Sequence, residues 1–148
     1  MTEKKDDFDT FVEKLQQEII EKETEDFNAY IVKLCHNPPN WGKPPEGKVT
    51  FSHSAPDQHG NLIEFFLKIE SDKVIKANFI TDGCGATVAV ASQITLLIEG
   101  KSLDYSYKLT PEDVIKALHR LPESHKHCAE LTVRILKELI EKYKNSSH

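Results

Sequence analysis

The sequence predicts an α+β domain: a three-stranded antiparallel sheet with helices packed on one face, preceded by an extra N-terminal helix. Three observations predict it. Strand-like runs come consecutively, "KVTFSHS" (48–54), "NLIEFFLKIE" (61–70) and "VIKANFIT" (74–81), with loops too short for a crossover, so each strand pairs with its predecessor as a meander. From Gly85 onward the apolar pattern turns helical, and strands followed by helices are the mark of α+β rather than α/β. A length of 148 residues suits one sizeable core.

Each element has its own local reason. Phe8, Phe11, Val12, Leu15 and Ile19 recur at spacings of three and four, which predicts an amphipathic helix over about 7–22. This helix is set apart as an extension, residues 1–23, with the main domain over 24–148. "TEDFNAYIVKLC" predicts a second helix over 24–35, with Thr24 as cap and acids at the positive dipole end. "HNPPNWGKPPEG" (36–47) holds four prolines and two glycines and is an ordered loop. "SDK" (71–73) is a tight turn between the second and third strands. Ala86–Ile98 is small or apolar almost throughout and predicts a helix buried on most sides, with Gly100 just past its end. Thr110, Pro111 and Asp113 open another helix with a capping pattern. A last helix over about 124–143 places Cys128, Leu131, Ile135 and Leu139 on one stripe.

Composition narrows function. Lys and Arg number 19 against 24 Asp and Glu, mixed along the chain, and nothing resembles the basic patch of a nucleic-acid binder. No apolar run approaches the roughly 20 residues of a membrane span. The charged opening "MTEKKDDFDTF" lacks an apolar signal segment, so the expected location is cytoplasmic. Three cysteines in such a chain argue against a disulfide framework and leave metal binding, thiol chemistry or burial.

Cys84 lies between Gly83 and Gly85, where a strand ends and a helix begins. A thiolate there gains from the helix dipole and the free amides, so its pKa should fall, and the glycines allow close approach. "HKHC" (125–128) puts two imidazoles and a second thiol at the start of the last helix, donors suited to zinc or iron. His59, in "DQHGN", precedes a strand beside a glycine. Cys35 reads as a structural cysteine at a helix end. No nucleophile-elbow serine and no nucleotide-binding glycine fingerprint is present, and an enzyme is not expected.

Together these segments resemble the NifU-type (IscU-like) iron–sulfur cluster assembly scaffolds. Gly-Cys-Gly before a helix of small residues, the "EGKSL" turn and the "LP…HC" segment match that family, as does "NPPNWG" upstream. "HGNLIEFFLKI" falls where the family has Cys-Gly-Asp followed by a strand. The resemblance covers roughly residues 27–144 and implies a SufE/NifU-like fold. It implies that Cys84, His127 and Cys128 match family ligand positions. His59 falls at the position of the family's first ligand cysteine, and Asn61 at that of its aspartate.

The resemblance implies a scaffold that receives sulfur from a cysteine desulfurase, builds a [2Fe–2S] cluster and passes it to recipient apo-proteins. Its candidate ligands are His59, Cys84, His127 and Cys128, and Cys84 or Cys128 would accept the persulfide. Two thiolates and two imidazoles suit tetrahedral zinc as well as a two-histidine [2Fe–2S] site. With Asn61 in place of aspartate the site is expected to be less anionic than in the ordinary scaffold. His125 is a spare donor expected to face solvent. "LPESHK" differs from the Leu-Pro-Pro-Val-Lys segment some relatives offer to a DnaK-type chaperone, which leaves that interaction without its usual docking segment. Three readings stand: a scaffold or carrier of iron or a [2Fe–2S] cluster, a zinc-binding or metal-free regulatory module of the assembly machinery, and a persulfide acceptor. Whether the 1–23 extension covers the sheet or forms a homo-oligomer is open.

Overall fold

The computed structural model of the chain describes residues 27–146, Gln58 excepted. The helix expected over 7–22 and the cap expected at Thr24 lie outside those residues. The described elements are α1 (Ala29–His36), β1 (Phe51–Pro56), β2 (Leu62–Glu70), β3 (Lys73–Thr81), α2 (Gly85–Ile98), α3 (Leu103–Tyr107), α4 (Pro111–Ala117) and α5 (Lys126–Asn145), with a 3₁₀ turn at Glu123–His125 leading into α5.

The strands form one antiparallel sheet in the order β1-β2-β3, the expected meander. β1 starts at Phe51 rather than Lys48, because the Lys48 amide closes a turn onto the Pro45 carbonyl at 3.1 Å and leaves the ladder. Ser71 and Asp72 make the tight turn between β2 and β3 with both φ angles positive, 53° and 58°. That is the primed geometry whose twist matches the flanking strands. Phe65 and Phe79 face each other across β2 and β3, both fully buried, and form the centre of the inner sheet face. Burying each such ring contributes about 1.5–3 kcal/mol.

The helices pack on that face. α2 buries ten of its fourteen residues, and the small side chains of Ala86, Ala89 and Ala91 let it lie close to its neighbours. Gly100 (φ 80°) follows it as expected, and its amide donates to Val74 O at 2.7 Å, tying the end of α2 to the start of β3. α4 carries the expected capping box between Thr110 and Asp113 behind Pro111. α5 is amphipathic and lays Val133, Leu136, Leu139 and Ile140 on the core. α3 is an addition to the sequence reading: five residues capped by Ser102, too short to show a period.

α1 begins at Ala29, later than the expected 24–35. Asn28 is extended (φ −73°, ψ 168°), and its side-chain oxygen accepts from the Ile31 amide at 2.9 Å, which makes Asn28 the cap. Its Nδ2 also donates to Leu118 O at 2.8 Å and fixes α1 against the end of α4. The proline-rich loop after α1 is ordered: Asn40 (φ 64°) and Gly42 (φ 117°) bend it so that Trp41 bridges in parallel to Phe79. No helix among the described residues is long and apolar enough to cross a membrane.

Candidate metal centre

A cavity of about 280 Å³ opens at the end of the sheet where β3 hands over to α2 and α5 begins. Its lining includes Asp57, His59, Asn61, Cys84, Thr87, His125, His127 and Cys128. All four sequence-derived ligand candidates therefore reach one cavity.

Cys84 is the N-cap residue of α2 (φ −71°, ψ 172°) and is exposed. Its pKa is lowered to about 4, chiefly because the Cys128 thiol donates to it; partial burial opposes the shift, and the Thr87 hydroxyl and the Thr87 and Ala86 amides reinforce it. Cys128 is buried on α5. Its thiol is pushed well above the ordinary range, first by that same bond to Cys84, then by burial and by the charges of Cys84 and Asp57, while Thr87 opposes the shift. The two sulfurs thus share one proton, and the negative charge sits on the exposed one. Thr87 lies between them, its hydroxyl 3.5 Å from Cys84 Sγ and 3.9 Å from Cys128 Sγ, with its one proton within reach of either sulfur.

Gly83 is needed here for closeness rather than for an unusual dihedral. A Cβ at this position would meet Thr81 Oγ1 and Thr87 Cβ and Cγ2 at 3.2 Å each. The missing side chain is what lets the β3–α2 turn press against Thr87. Cys35, the penultimate residue of α1, donates its thiol to Gly85 O at 2.9 Å and braces the same turn from behind.

Metal-ligating atoms of Cys84, His125 and Cys128 lie within 4.8 Å of one another. Donors around a tetrahedral zinc or iron are roughly 3.5–3.8 Å apart, so small side-chain adjustments would close these three on an ion. His125, expected to face solvent, instead turns inward and is half-buried, its ring 5.0 Å from that of Phe27. It belongs to the 3₁₀ turn rather than to α5, which changes its direction from that of a helix-start residue. His127 Nε2 is 3.7 Å from Cys128 Sγ. His59 and His127 line the cavity but stand outside the close trio.

The loop that carries His59 is built on Asp57. One carboxylate oxygen accepts from the His59 and Asn61 amides at 2.8 and 2.9 Å, and the other from Asn61 Nδ2 at 3.3 Å. Desolvation, the largest single influence, opposes them, but together these bonds and the charge of His59 hold the Asp57 carboxyl below the usual range. Asn61 therefore serves the loop, and the cavity keeps a carboxylate four residues upstream of the position where one was missed. Asp57, Thr87 and His125 are the site residues that sequence reasoning did not select. The Asp-x-x-x-Asn spacing ahead of a strand was a readable signal for the first.

A family model described as "NifU-like N terminal domain" matches residues 26–148. The nitrogen fixation protein NifU of Nostoc sp. is 29% identical over 126 residues, 80% of this chain and 42% of its own length. The iron–sulfur cluster assembly scaffold protein IscU of Aquifex aeolicus is 34% identical over 86 residues, 57% of this chain and 55% of its own length. The chain thus spans about half or less of these relatives. The crystal structure of a nitrogen-fixing NifU-like protein (N-terminal) from Brucella abortus shares the fold, with a TM-score of 0.65 at 13% identity over 81% of this chain and 95% of that one.

Proposed function

The chain belongs to the NifU-like N-terminal domain family, and from that premise we propose that it is a scaffold that receives iron and sulfide, holds them as a [2Fe–2S] cluster and passes the cluster to recipient apo-proteins. The observation that carries this reading is the convergence of Cys84, Cys128 and His125 within 4.8 Å at the mouth of a cavity that His59 and His127 also line. Two thiolates with imidazoles form a donor set that iron–sulfur clusters accept. The cluster is cargo, and Cys84 and Cys128 are its anchors, with His125 nearest among the imidazoles and His59 and His127 within the same cavity.

The exposed thiolate gives Cys84 a second task at the same site, as sulfur acceptor. Its sulfur attacks the terminal sulfur of a cysteine persulfide on a desulfurase. The S–S bond there breaks, the desulfurase cysteine leaves as thiolate, and Cys84 carries the persulfide. Cys128, buried and protonated, supplies the hydrogen bond that keeps the attacking sulfur ionised before the step.

Anaerobic reconstitution of the full chain with ferric iron and a sulfide source tests the reading. Visible charge-transfer absorption with equal iron and sulfide is expected, and it should vanish in Cys84→Ala and in Cys128→Ala. Stoichiometric zinc binding with no cluster absorption under any condition would replace the scaffold reading with that of a zinc module.

A further inference from the structure

The described helices make their main strand contacts from one side of the sheet. The helices that contact strands are α2 on β3 and α5 on β1 and β2, and they share the core with Phe65 and Leu67. Phe66 lies between those two residues on β2 and so points the opposite way. It is nevertheless only 3% exposed, although it is no member of the core cluster. On either side of it in register stand Ser52 and Asn78, neither of which offers an apolar cover.

A groove of about 510 Å³ runs between the loop after α1 and the β2–β3 hairpin, lined on the strands by Lys68, Ile75, Lys76 and Asn78. Trp41 and Ile75 line it and are 48% and 43% exposed. Trp41 is held rigidly: Gly42 N donates to Phe79 O at 2.8 Å and Phe79 N to Asn40 O at 3.1 Å on either side of it. An exposed tryptophan on a fixed backbone is a ready anchor. Lys43, Lys48, Lys68 and Lys76 surround it. Lys76 pairs with Glu99 at 3.4 Å and Lys68 with Glu70 at 4.0 Å, while Lys43 and Lys48 have no ion pair among the described residues.

The charge of the chain is unevenly placed. Residues 1–26 contain ten acidic and four basic side chains, net −6, whereas the whole chain is −5, so residues 27–148 are net +1. The same 26 residues carry Phe8, Phe11, Val12, Leu15 and Ile19 at helical spacing. At up to about 3.3 Å per residue they can reach any point of the sheet from Phe27, and attachment to the same chain gives them a high effective concentration there.

We propose that residues 1–26 fold back over this groove of their own sheet, setting their apolar stripe on Trp41 and Ile75 and their acids against the four lysines. This occupant supplies both things the groove lacks, an apolar cover for exposed Trp41 and Ile75 and a counter-charge for Lys43 and Lys48. The metal centre, at the other end of β3, stays open.

Zero-length carbodiimide cross-linking of the full chain, read by mass spectrometry on an equal mixture of unlabelled and ¹⁵N-labelled protein, tests this. Cross-links are expected from Asp or Glu of residues 1–26 to the groove lysines, within one isotope only. Their yield should fall about tenfold in 1 M salt, where the screening length is about 3 Å, and at least severalfold in Phe8→Ser/Phe11→Ser, which keeps every charge. Mixed-isotope cross-links would mean that the segment covers a second copy, and the proposal fails. It also fails if no cross-link joins the segment to these lysines, or if the double substitution leaves the yield unchanged.

Discussion

Cys84 Sγ and Cys128 Sγ lie within 4.8 Å of each other with the Thr87 hydroxyl between them. Their interaction lowers the pKa of the exposed thiol and raises that of the buried one, so the exposed member carries the charge and the buried member the proton. The division follows from solvation: ionising the buried sulfur would cost more, and the N-cap amides favour the other. The first prediction is a selective alkylation. With its pKa near 4, Cys84 should react with iodoacetamide at a rate that is level from about pH 6 to 8, while Cys128 stays unmodified. Since the interaction lowers the pKa, its removal in Cys128→Ala should move the inflection of the Cys84 profile upward towards the ordinary thiol range. A wild-type rate that climbs about tenfold per pH unit across that window would show that Cys84 is an ordinary thiol.

Thr87 should be readable in the same assay. Its hydroxyl stabilises the anion on Cys84, so Thr87→Val, which keeps the shape, should raise the Cys84 inflection by up to about one unit, the worth of a hydrogen bond of roughly 1 kcal/mol. Thr87→Ser keeps the hydroxyl and should restore the wild-type profile. Equal profiles for the valine and serine variants would assign Thr87 to packing alone.

The difference between Thr87 and Cys84 also shows what the sequence could reveal. Cys84 was legible through its company: a thiol between two glycines at a strand-to-helix turn suits packing as well as chemistry, and His59 upstream with His125–Cys128 downstream drew it into a site. Thr87 sits in "GATVAVAS", where a small residue on a buried helix is explained by packing, and nothing in the pattern says that its hydroxyl meets two sulfurs. The sheet was legible because period-two burial and turn chemistry act locally: β2 and β3 end within a residue of the positions read from the sequence. α1 was misplaced at its start because a distant partner, Leu118 O, helps fix Asn28 as its cap, and β1 because a tight turn of Lys48 N onto Pro45 O takes the first strand-like residues out of the ladder. His125 was turned the wrong way for a related reason. Whether the residues before a helix continue it or tighten into a 3₁₀ turn depends on packing, here that of the imidazole against Phe27.

Gly83→Ala should damage the site through crowding. The added methyl would lie 3.2 Å from Thr87 Cβ and Cγ2 and from Thr81 Oγ1. Thr81 has little freedom to retreat, since its hydroxyl accepts the Gly83 amide at 3.0 Å and donates to Leu62 O at 2.7 Å. An overpacking cost of about 1–3 kcal/mol is expected in urea denaturation, together with weaker zinc binding in competition with a chromophoric chelator. Unchanged stability and unchanged zinc affinity together would mean that the turn yields freely and that its closeness to Thr87 is incidental.

Metal binding itself should report the shared proton and rank the histidines. A metal ion takes both sulfurs as thiolates. At pH 7 Cys84 has already lost its proton and Cys128 has not, so zinc binding should release about one proton from the thiol pair, where two ordinary thiols would release nearly two. Titration calorimetry in buffers of different ionisation enthalpy counts that proton. Zinc affinity should accordingly rise about tenfold per pH unit above pH 7.5. Cys84→Ala and Cys128→Ala should each remove tight binding. His125→Ala should weaken it by at least about tenfold, a larger loss than His127→Ala or His59→Ala, because only His125 already stands within 4.8 Å of both sulfurs. A release of two protons would refute the shared-proton arrangement, and a larger loss in His127→Ala would move the third ligand from the 3₁₀ turn to the first turn of α5.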